Sequence, residues 1–193
     1  MKQSRVVLAA VLLALGSLAP VRSAQDNPKK TQGKPDLSGL HDFDPLVGQW
    51  KVHHRRLKER LAGSHEWEEF DGTSTFQLVM DGYGNLDDNV LNIPSGTYRA
   101  VTLRSYDPQT AQWAIWWLDG RIPHGELDPP VKGKFVNGVG TFYSTDTLRG
   151  KKIRVRFTWS KLKSGSPHWE QAFSPDGGKT WEVNWMNDFT RVK

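Results

Sequence analysis

The stretch Lys152-Ile153-Arg154-Val155-Arg156-Phe157-Thr158-Trp159 alternates strictly between polar and apolar side chains. Successive side chains of a β-strand point to opposite faces, so this alternation predicts a strand with one charged and one apolar face. An amphipathic α-helix would instead place apolar residues three to four positions apart. The stretch therefore predicts a β-sheet that packs one of its faces against a core.

Similar patterns recur along the chain, and no segment shows an amphipathic stripe of three helical turns. In the last pattern, Trp181, Val183 and Trp185 are predicted to share one face. Turn-forming pairs such as Asn137-Gly138 separate the patterns. The sequence therefore predicts an all-β fold, a single antiparallel up-and-down barrel of about ten strands. Besides 152–159, the predicted strands are 49–57, 67–80, 84–91, 98–106, 112–118, 131–135, 140–144, 168–173 and 181–189.

The composition supports a core that needs no crosslinks. The 193 residues include no cysteine, which excludes disulfide frameworks, thiolate metal centres and thiol catalysis. All 9 Trp, 8 Phe and 4 Tyr lie after residue 42. Because each aromatic side chain buries roughly 200 Å², these residues supply enough apolar surface for one barrel core.

The first 23 residues have the pattern of a secretory signal. Lys2 and Arg5 precede an apolar stretch at 6–18, and small residues suit cleavage before Ala24. We expect residues 1–23 to be a signal peptide, 24–41 a disordered lead-in and 42–193 the barrel domain. An uncleaved N-terminal anchor is the alternative. The prediction is an exported protein, periplasmic or extracellular, with no membrane span after processing.

The net charge of +5 includes Lys2, Arg5 and Arg22 from the predicted signal. Their removal leaves 23 basic against 21 acidic residues, or +2. A nearly balanced chain lacks the basic surface of a nucleic-acid-binding protein. No nucleic-acid partner is therefore predicted.

Three short motifs carry a family resemblance: Leu46-Val47-Gly48-Gln49-Trp50, Trp67-Glu68-Glu69-Phe70 and Asp176-Gly177-Gly178-Lys179-Thr180-Trp181. The Gly-x-Trp of the first resembles the opening signature of the lipocalins and the wider calycin barrels. Together, the motifs make the domain similar to secreted bacterial lipocalin-like domains of unknown function. The resemblance implies a ligand-holding barrel without naming a reaction. It also implies that Trp50 closes one barrel end, with Arg191 as its partner.

Two features raise the question of glycosidase chemistry. The sequence Ser174-x-Asp176-x-Gly178-x-Thr180-Trp181 is similar to the Asp-box of sialidases, but it occurs once. We interpret it as a structural hairpin turn, because propellers need repeated blades. Neighbouring residues of a strand point to opposite faces, so Glu68-Glu69 and Asp87-Asp88 are poor candidates for a catalytic carboxylate pair. We predict instead that they lie on solvated strand faces.

The first predicted strand carries the most suggestive polar set. If Trp50 points inward, His54 and Arg56 do so too by alternation, and they would suit an anionic head group. The alternative is a bulge that places them in solvent. The candidate ligand-binding residues on predicted inward faces are Trp50, His54, Arg56, Trp117, Trp159, Trp169, Gln171 and Trp185.

The longest irregular stretch inside the domain, 119–130, carries further candidates. Loops of this length often cover a barrel mouth, and Arg121, His124 and Glu126 would then reach a ligand. A plain surface loop is the alternative.

These patterns predict a protein that binds a small hydrophobic or amphipathic molecule inside the barrel. One alternative is a barrel enzyme, an isomerase, cyclase or hydratase on a lipid-like substrate, with His54 as the acid–base group. Another is a structural or interaction module in which every Trp fills the core. The Trp116 face, opposite Trp117, would need cover, for which a homodimer is one possibility. The six His show no metal-ligand spacing, so neither a metal nor a cofactor is predicted.

Overall fold

The structure is a computed structural model that describes residues 33–193 and contains ten β-strands. Within this range, the only helical elements are three short 3-10 turns. The all-β prediction is confirmed. The predicted signal peptide and residues 24–32 of the predicted lead-in lie outside the described residues. The strands are β1 (Gly48–Leu57), β2 (Trp67–Val79), β3 (Gly84–Ile93), β4 (Gly96–Asp107), β5 (Gln112–Asp119), β6 (Val131–Val136), β7 (Val139–Leu148), β8 (Lys151–Ser160), β9 (His168–Ser174) and β10 (Glu182–Arg191).

The strands form one closed antiparallel barrel in up-and-down order. Each strand pairs with the next along the chain, and β10 pairs with β1 to close the ring. The predicted single up-and-down barrel of about ten strands is therefore confirmed. Closure gives every strand a hydrogen-bonded partner on both sides, which suits a chain without disulfides.

Alternation along β1 and β8 sets the inward faces as the sequence predicts. Trp50, Val52 and His54 of β1 are buried, and so are Val155 and Trp159 of β8. The residues between them on β1 are exposed or half-buried. No bulge disturbs the pairing of β1 with either neighbour over its inward residues.

The segment before β1 closes one end of the barrel. Phe43 is 1 % exposed and packs edge-on against Trp113 and Trp159, with ring centroids 5.1 and 6.0 Å apart. Leu46 is fully buried, and its carbonyl accepts a 2.6 Å hydrogen bond from the Trp50 indole. The barrel end is thus filled by apolar side chains of the chain itself.

The part of the predicted disordered lead-in that the structure describes, 33–41, also lies against this end. Leu40 is buried, and the Trp113 indole donates to the Gly39 carbonyl at 2.9 Å. The backbone N–H of Asp36 donates to the carbonyl of Pro108 at 2.8 Å. The ordered domain therefore begins before residue 42, because one Leu and a few backbone bonds suffice to hold an otherwise polar segment.

Trp50 and Arg191 are partners, as the resemblance to lipocalins implies. The Arg191 guanidinium lies 4.2 Å from the Trp50 ring centroid. It also donates to the carbonyls of Val47 at 2.9 Å and Pro45 at 2.7 Å. This contact joins the last strand to the segment that closes the barrel end, and that geometric expectation is confirmed.

A bulge in β10 corrects the prediction that Trp181, Val183 and Trp185 share a face. The pairing with β9 shifts between Val183 and Trp185, and the extra residue, Asn184, is fully buried. Trp185 therefore faces the interior, whereas Trp181 packs outside against Tyr143. Strict alternation fails here because a bulge adds one residue to the strand.

The wall of the barrel is open on one side between β5 and β7. Only residues 113–115 of β5 pair with β6, and β6 pairs with β7 only as far as Tyr143. Residues 116–119 of β5 and 144–148 of β7 therefore have no β6 partner. We call this region the wall gap. Within 33–193, no helix is long and apolar enough to cross a membrane.

Candidate functional site

A cavity of about 180 Å³ lies inside the barrel, next to the wall gap. Its apolar lining includes five tryptophan rings, and its polar lining comes mainly from β3, β4, β9 and β10. Asp128 and Pro129 of the 120–130 loop lie at its edge. The tryptophans are Trp116, Trp117, Trp159, Trp169 and Trp185 with Trp116 at the gap, and the interior polar residues are His54, Asp87, Asn89, Thr102, Arg104, Gln171 and Asn187.

Most of the predicted inward residues line this cavity. His54, Trp117, Trp159, Trp169, Gln171 and Trp185 all contribute to its wall. Trp50 does not, because it is packed into the closed end of the barrel. The structure places these side chains, and their role in binding stays a prediction.

His54 is a buried, neutral group in the cavity wall. Its Nδ1 lies 2.7 Å from Oδ1 of Asn187, and its ring stacks on Phe70 with centroids 4.6 Å apart. Burial lowers the pKa of His54 to about 4, against the opposing effect of the Asn187 hydrogen bond. The nearby charge of Arg56 lowers it further. The amide oxygen of Asn187 requires the proton on Nδ1, which leaves Nε2 as a hydrogen-bond acceptor.

The most buried charges among residues 33–193 also line the cavity. Asp87 and Arg104 form an ion pair with side chains only 4 % and 2 % exposed. The other carboxylate oxygen of Asp87 accepts from the Thr102 hydroxyl at 2.9 Å and from the Asn89 amide at 2.6 Å. The Arg104 guanidinium also donates to Asn85 Oδ1 at 3.0 Å. The two charges cancel, so this wall of the cavity is polar but neutral.

Arg104 lies among three aromatic rings as well. Its guanidinium carbon is 5.1 Å from the ring centroids of both Phe43 and Phe76, and 5.5 Å from that of Trp159. Its Nε is buried without a hydrogen-bond partner among the described residues. Cation–π contacts of this kind offset part of the cost of burying a guanidinium.

This polar group was not predicted from the sequence. Asp87 was expected on a solvated face, and that prediction is wrong: β3 turns Asn85, Asp87 and Asn89 toward the interior and Leu86 outward. Its partner Arg104 lies on β4, seventeen positions away. Alternation shows that a strand has two faces, but it does not show which face meets the core when the polar face is the inner one. Glu68 is likewise half-buried, because it pairs with Arg56.

Two donors complete the polar lining. The Gln171 amide nitrogen donates to Oδ1 of Asn184, the bulge residue of β10, at 2.8 Å. The indole nitrogen of Trp185 is buried and has no hydrogen-bond partner in the described part of the chain. Buried donors normally find partners, so this unpaired N–H is an exception among the residues that line the cavity.

Arg56 faces inward but lies at the rim, outside the cavity lining. Its guanidinium donates to Glu68 Oε2 at 2.7 Å and lies 5.3 Å from the Trp185 ring centroid. Its side chain is 17 % exposed. Alternation therefore correctly predicts that Arg56 faces inward. A ligand that contacted Arg56 would have to extend beyond the cavity.

The predicted mouth residues Arg121, His124 and Glu126 are all exposed, and none lines the cavity. Arg121 is held by an ion pair with Asp119 at 2.6 Å and lies 3.9 Å from the Tyr98 ring centroid. The loop does reach the cavity, but through Asp128 and Pro129. Across 33–193, no group of three or more His, Asp or Glu side chains is arranged to hold a metal ion.

Comparison with known proteins identifies a shared fold. No family model and no curated protein matches the chain. The S-type phycobiliprotein lyase CPES from Guillardia theta superposes with a TM-score of 0.50 at 11 % identity, over 78 % of this chain and 90 % of the lyase. The likeness is one of fold. A protein of unknown function from the DUF3598 family of Nostoc punctiforme gives a TM-score of 0.40 at 12 % identity, over 82 % of this chain and 50 % of that protein.

Proposed function

We propose that the barrel binds one small, largely apolar molecule in its interior cavity. The observation that carries the proposal is the cavity itself, about 180 Å³ of space among tightly packed aromatic side chains. Protein interiors are close-packed, so a barrel filled only for stability would leave few voids larger than a water molecule. The proposal rests on this space and not on the lyase, whose sequence identity supports the fold alone.

The size of the cavity limits the ligand. An engineered cavity of roughly 150 Å³ is known to bind benzene, so the cavity here suits one or two fused rings or a short branched chain. A larger molecule would have to pass through the wall gap between Trp116 and Ser144, both of which line the cavity. We therefore propose a compact ligand, or the compact end of a longer one.

The polar lining favours a neutral ligand with one hydrogen-bonding group. The charges of Asp87 and Arg104 are paired with each other, and His54 is uncharged at neutral pH. Asp128 and Asp146 also line the cavity, and their carboxylates disfavour an anionic ligand. The unpartnered groups in its wall include an acceptor at His54 Nε2 and a donor at Trp185 Nε1. A hydroxyl or carbonyl group on the ligand can bond with them, whereas a carboxylate would lose its hydration without gaining a counter-charge.

A barrel enzyme with His54 as the acid–base group is the second candidate. The observation in its favour is that His54 lies in the cavity wall, with Asn187 fixing its ring. A pKa of about 4 makes His54 a weak base at neutral pH, because general bases work best near the ambient pH. Binding is therefore the better-supported function.

The test uses 1-naphthol and naphthalene as probes, with protein amide chemical shifts as the readout. We expect 1-naphthol to bind in the cavity more tightly than naphthalene, since only the former has a hydroxyl group. Shifts should be confined to residues that line the cavity. Absence of binding by both probes, together with no ligand retained in native mass spectrometry of protein from its own host, would overturn the proposal.

A matched pair of variants locates the site. Val155→Phe adds bulk to the cavity lining and should abolish binding, at a cost of about 1–3 kcal/mol in stability from overpacking. Val136→Phe places the same side chain at an exposed position and should leave binding unchanged. Equal binding by both variants would show that the probe sits elsewhere.

We also propose that the protein is exported. The support is the basic start, apolar stretch and small residues within 1–23 of the sequence. N-terminal sequencing of protein recovered from the producing cells should begin at Ala24. Recovery with Met1 intact from the cytoplasm would contradict export.

A further inference from the structure

A second depression, separate from the cavity, lies at the barrel end where β1 stops. It measures about 410 Å³ and is formed by the β1–β2 connection on one side and the β7–β8 turn on the other. Four of its seven lining side chains are cationic. The lining consists of Arg56, Leu57, Lys58, Arg60, Glu68, Leu148 and Arg149, and we call it the basic pocket.

Carboxylates neutralise only part of this charge. Glu68 pairs with Arg56 at 2.7 Å, and Glu66 pairs with Lys58 at 3.2 Å. The carboxylate of Glu182, which lies near Arg60, accepts the backbone N–H of Leu61 at 2.8 Å. Among the described residues, neither Arg60 nor Arg149 is within ion-pair distance of a carboxylate.

Arg60 is held in a place that is costly for an unpaired cation. It is half-buried, and its guanidinium lies 5.7 Å from the ring centroid of Phe173. Burial lowers the pKa of Arg60, and the positive charge of Arg56 lowers it further. An anion beside Arg60 would offset both effects.

Arg149 is held beside Arg60 by a turn that disfavours its side chain. Arg149 Nη1 donates to the Arg60 carbonyl at 3.0 Å. Arg149 and Gly150 form the two-residue β7–β8 turn with φ of 49° and 75°. The β6–β7 turn has the same form, with φ of 51° and 79°, and uses Asn137-Gly138. Asn is the favoured residue at this left-handed position, so Arg149 makes the turn less stable than Asn would. In return, Arg149 places a guanidinium at the basic pocket.

We propose that the basic pocket binds a small oxyanion group, a phosphate or a carboxylate, between Arg60 and Arg149. Guanidinium groups meet both oxyanions through paired N–H bonds. The site is distinct from the cavity, because the rings of Phe173 and Trp185 lie between them: Arg60 stacks on the first ring and Arg56 on the second. The inference goes beyond the proposed function and does not depend on it.

Titration calorimetry of the full chain with inorganic phosphate, at constant ionic strength, tests the site, and sodium acetate is the second arm. Binding of either anion is the expected result, and the stronger arm identifies the preferred group. Arg60→Gln and Arg149→Asn should each weaken binding about ten-fold, as expected for loss of one charge-assisted hydrogen bond. Arg149→Asn should do so without lowering the unfolding temperature by more than a few degrees, because Asn suits the turn.

The control is Arg99→Gln, which removes an exposed arginine on β4, paired with Asp88 away from the pocket. It changes the net charge as Arg60→Gln does, so it should leave phosphate affinity unchanged. No binding of either anion by the unaltered chain would overturn the site, and so would an equal loss in all three variants. Naphthol binding should persist in Arg60→Gln and Arg149→Asn, so failure of this site is distinguishable from failure of the cavity.

Discussion

The carboxylate of Asp87 and the guanidinium of Arg104 form an ion pair inside the barrel, where both side chains are almost completely excluded from solvent. The pair joins β3 to β4 across the cavity wall. Buried ion pairs seldom add net stability, because the loss of hydration offsets their attraction. Removal of one partner is a different matter, since it leaves the other charge buried alone.

Asp87→Asn should therefore destabilise the fold strongly, by about 3–5 kcal/mol. The amide keeps the shape of the side chain but leaves the Arg104 charge uncompensated. Urea denaturation monitored by tryptophan fluorescence gives the free energy of unfolding. Asp88→Asn is the control: its carboxylate pairs with Arg99 on the outer surface, so the loss should be about 0–1 kcal/mol. A similar loss in both variants would contradict the burial of Asp87.

His54 should make the stability depend on pH between 6.5 and 4. The unfolded chain takes up a proton at the ordinary pKa of 6.5, whereas the native His54 takes it up only near pH 4. The native state is therefore at full stability above pH 6.5 and loses stability as the pH falls toward 4. The loss at the lower end is on the order of 3 kcal/mol.

The measurement compares the unaltered chain with His54→Gln, by urea denaturation at pH 7.0 and at pH 4.5. The difference in unfolding free energy between the two pH values should be smaller in the variant, since other groups contribute equally to both proteins. An identical pH dependence in both would show that His54 is not buried in the neutral form.

Asp176→Ala should lower the midpoint of thermal unfolding by disrupting the β9–β10 turn. The carboxylate accepts the Thr180 N–H at 2.9 Å, the Thr180 hydroxyl at 2.7 Å and the Ser174 hydroxyl at 2.8 Å. These bonds, above all that of the Thr180 N–H, hold the pKa of Asp176 well below its usual range. Glu126→Ala, in an exposed loop, should leave the midpoint unchanged. No change in Asp176→Ala would contradict a structural role for the Asp-box-like motif.

Phe43→Ala should cost about 3–5 kcal/mol in unfolding free energy, as expected for truncation of a fully buried Phe. The side chain fills the closed end of the barrel against Phe142, Trp113 and Trp159. Leu37 lies in the same segment but is 46 % exposed. Leu37→Ala should therefore lower the free energy of unfolding by at most about 0.5 kcal/mol, as is usual for surface substitutions. Chemical denaturation distinguishes the two, and equal small losses would show that 33–47 does not close the barrel.

The strands could be predicted from the sequence because a barrel wall has two different faces, and alternation records that difference residue by residue. The inward face of β1 was predicted correctly from Trp50 as far as Arg56. Trp117, Trp159 and Trp169 followed from the same rule, whereas Trp116, expected on the opposite face from Trp117, also lines the cavity at the wall gap. Prediction failed at Trp181, where a single extra residue, Asn184, reverses the faces.

The polar half of the site was beyond such reasoning for a physical reason. Asp87 and Arg104 stabilise each other only after folding brings β3 and β4 together, and neither residue alone reads as a core position. The same holds for Arg60 and Arg149, which meet from separate connections. Partnerships across the barrel depend on strand register, which a single sequence does not encode locally.

The wall gap has a consequence for the kinetics of exchange. Three residues of β5 pair with β6, whereas ten residues of β3 pair with β4, so the β5–β6 ladder is the weakest seam of the ring. Short ladders open by local fluctuation at a fraction of the free energy of global unfolding. A molecule bound in the cavity, as we propose, can therefore leave when the three residue pairs between β5 and β6 separate, while the other nine strand pairs stay intact. Its residence time would follow the opening rate of that seam, and amide hydrogen exchange at Trp113–Ile115 would measure the same rate.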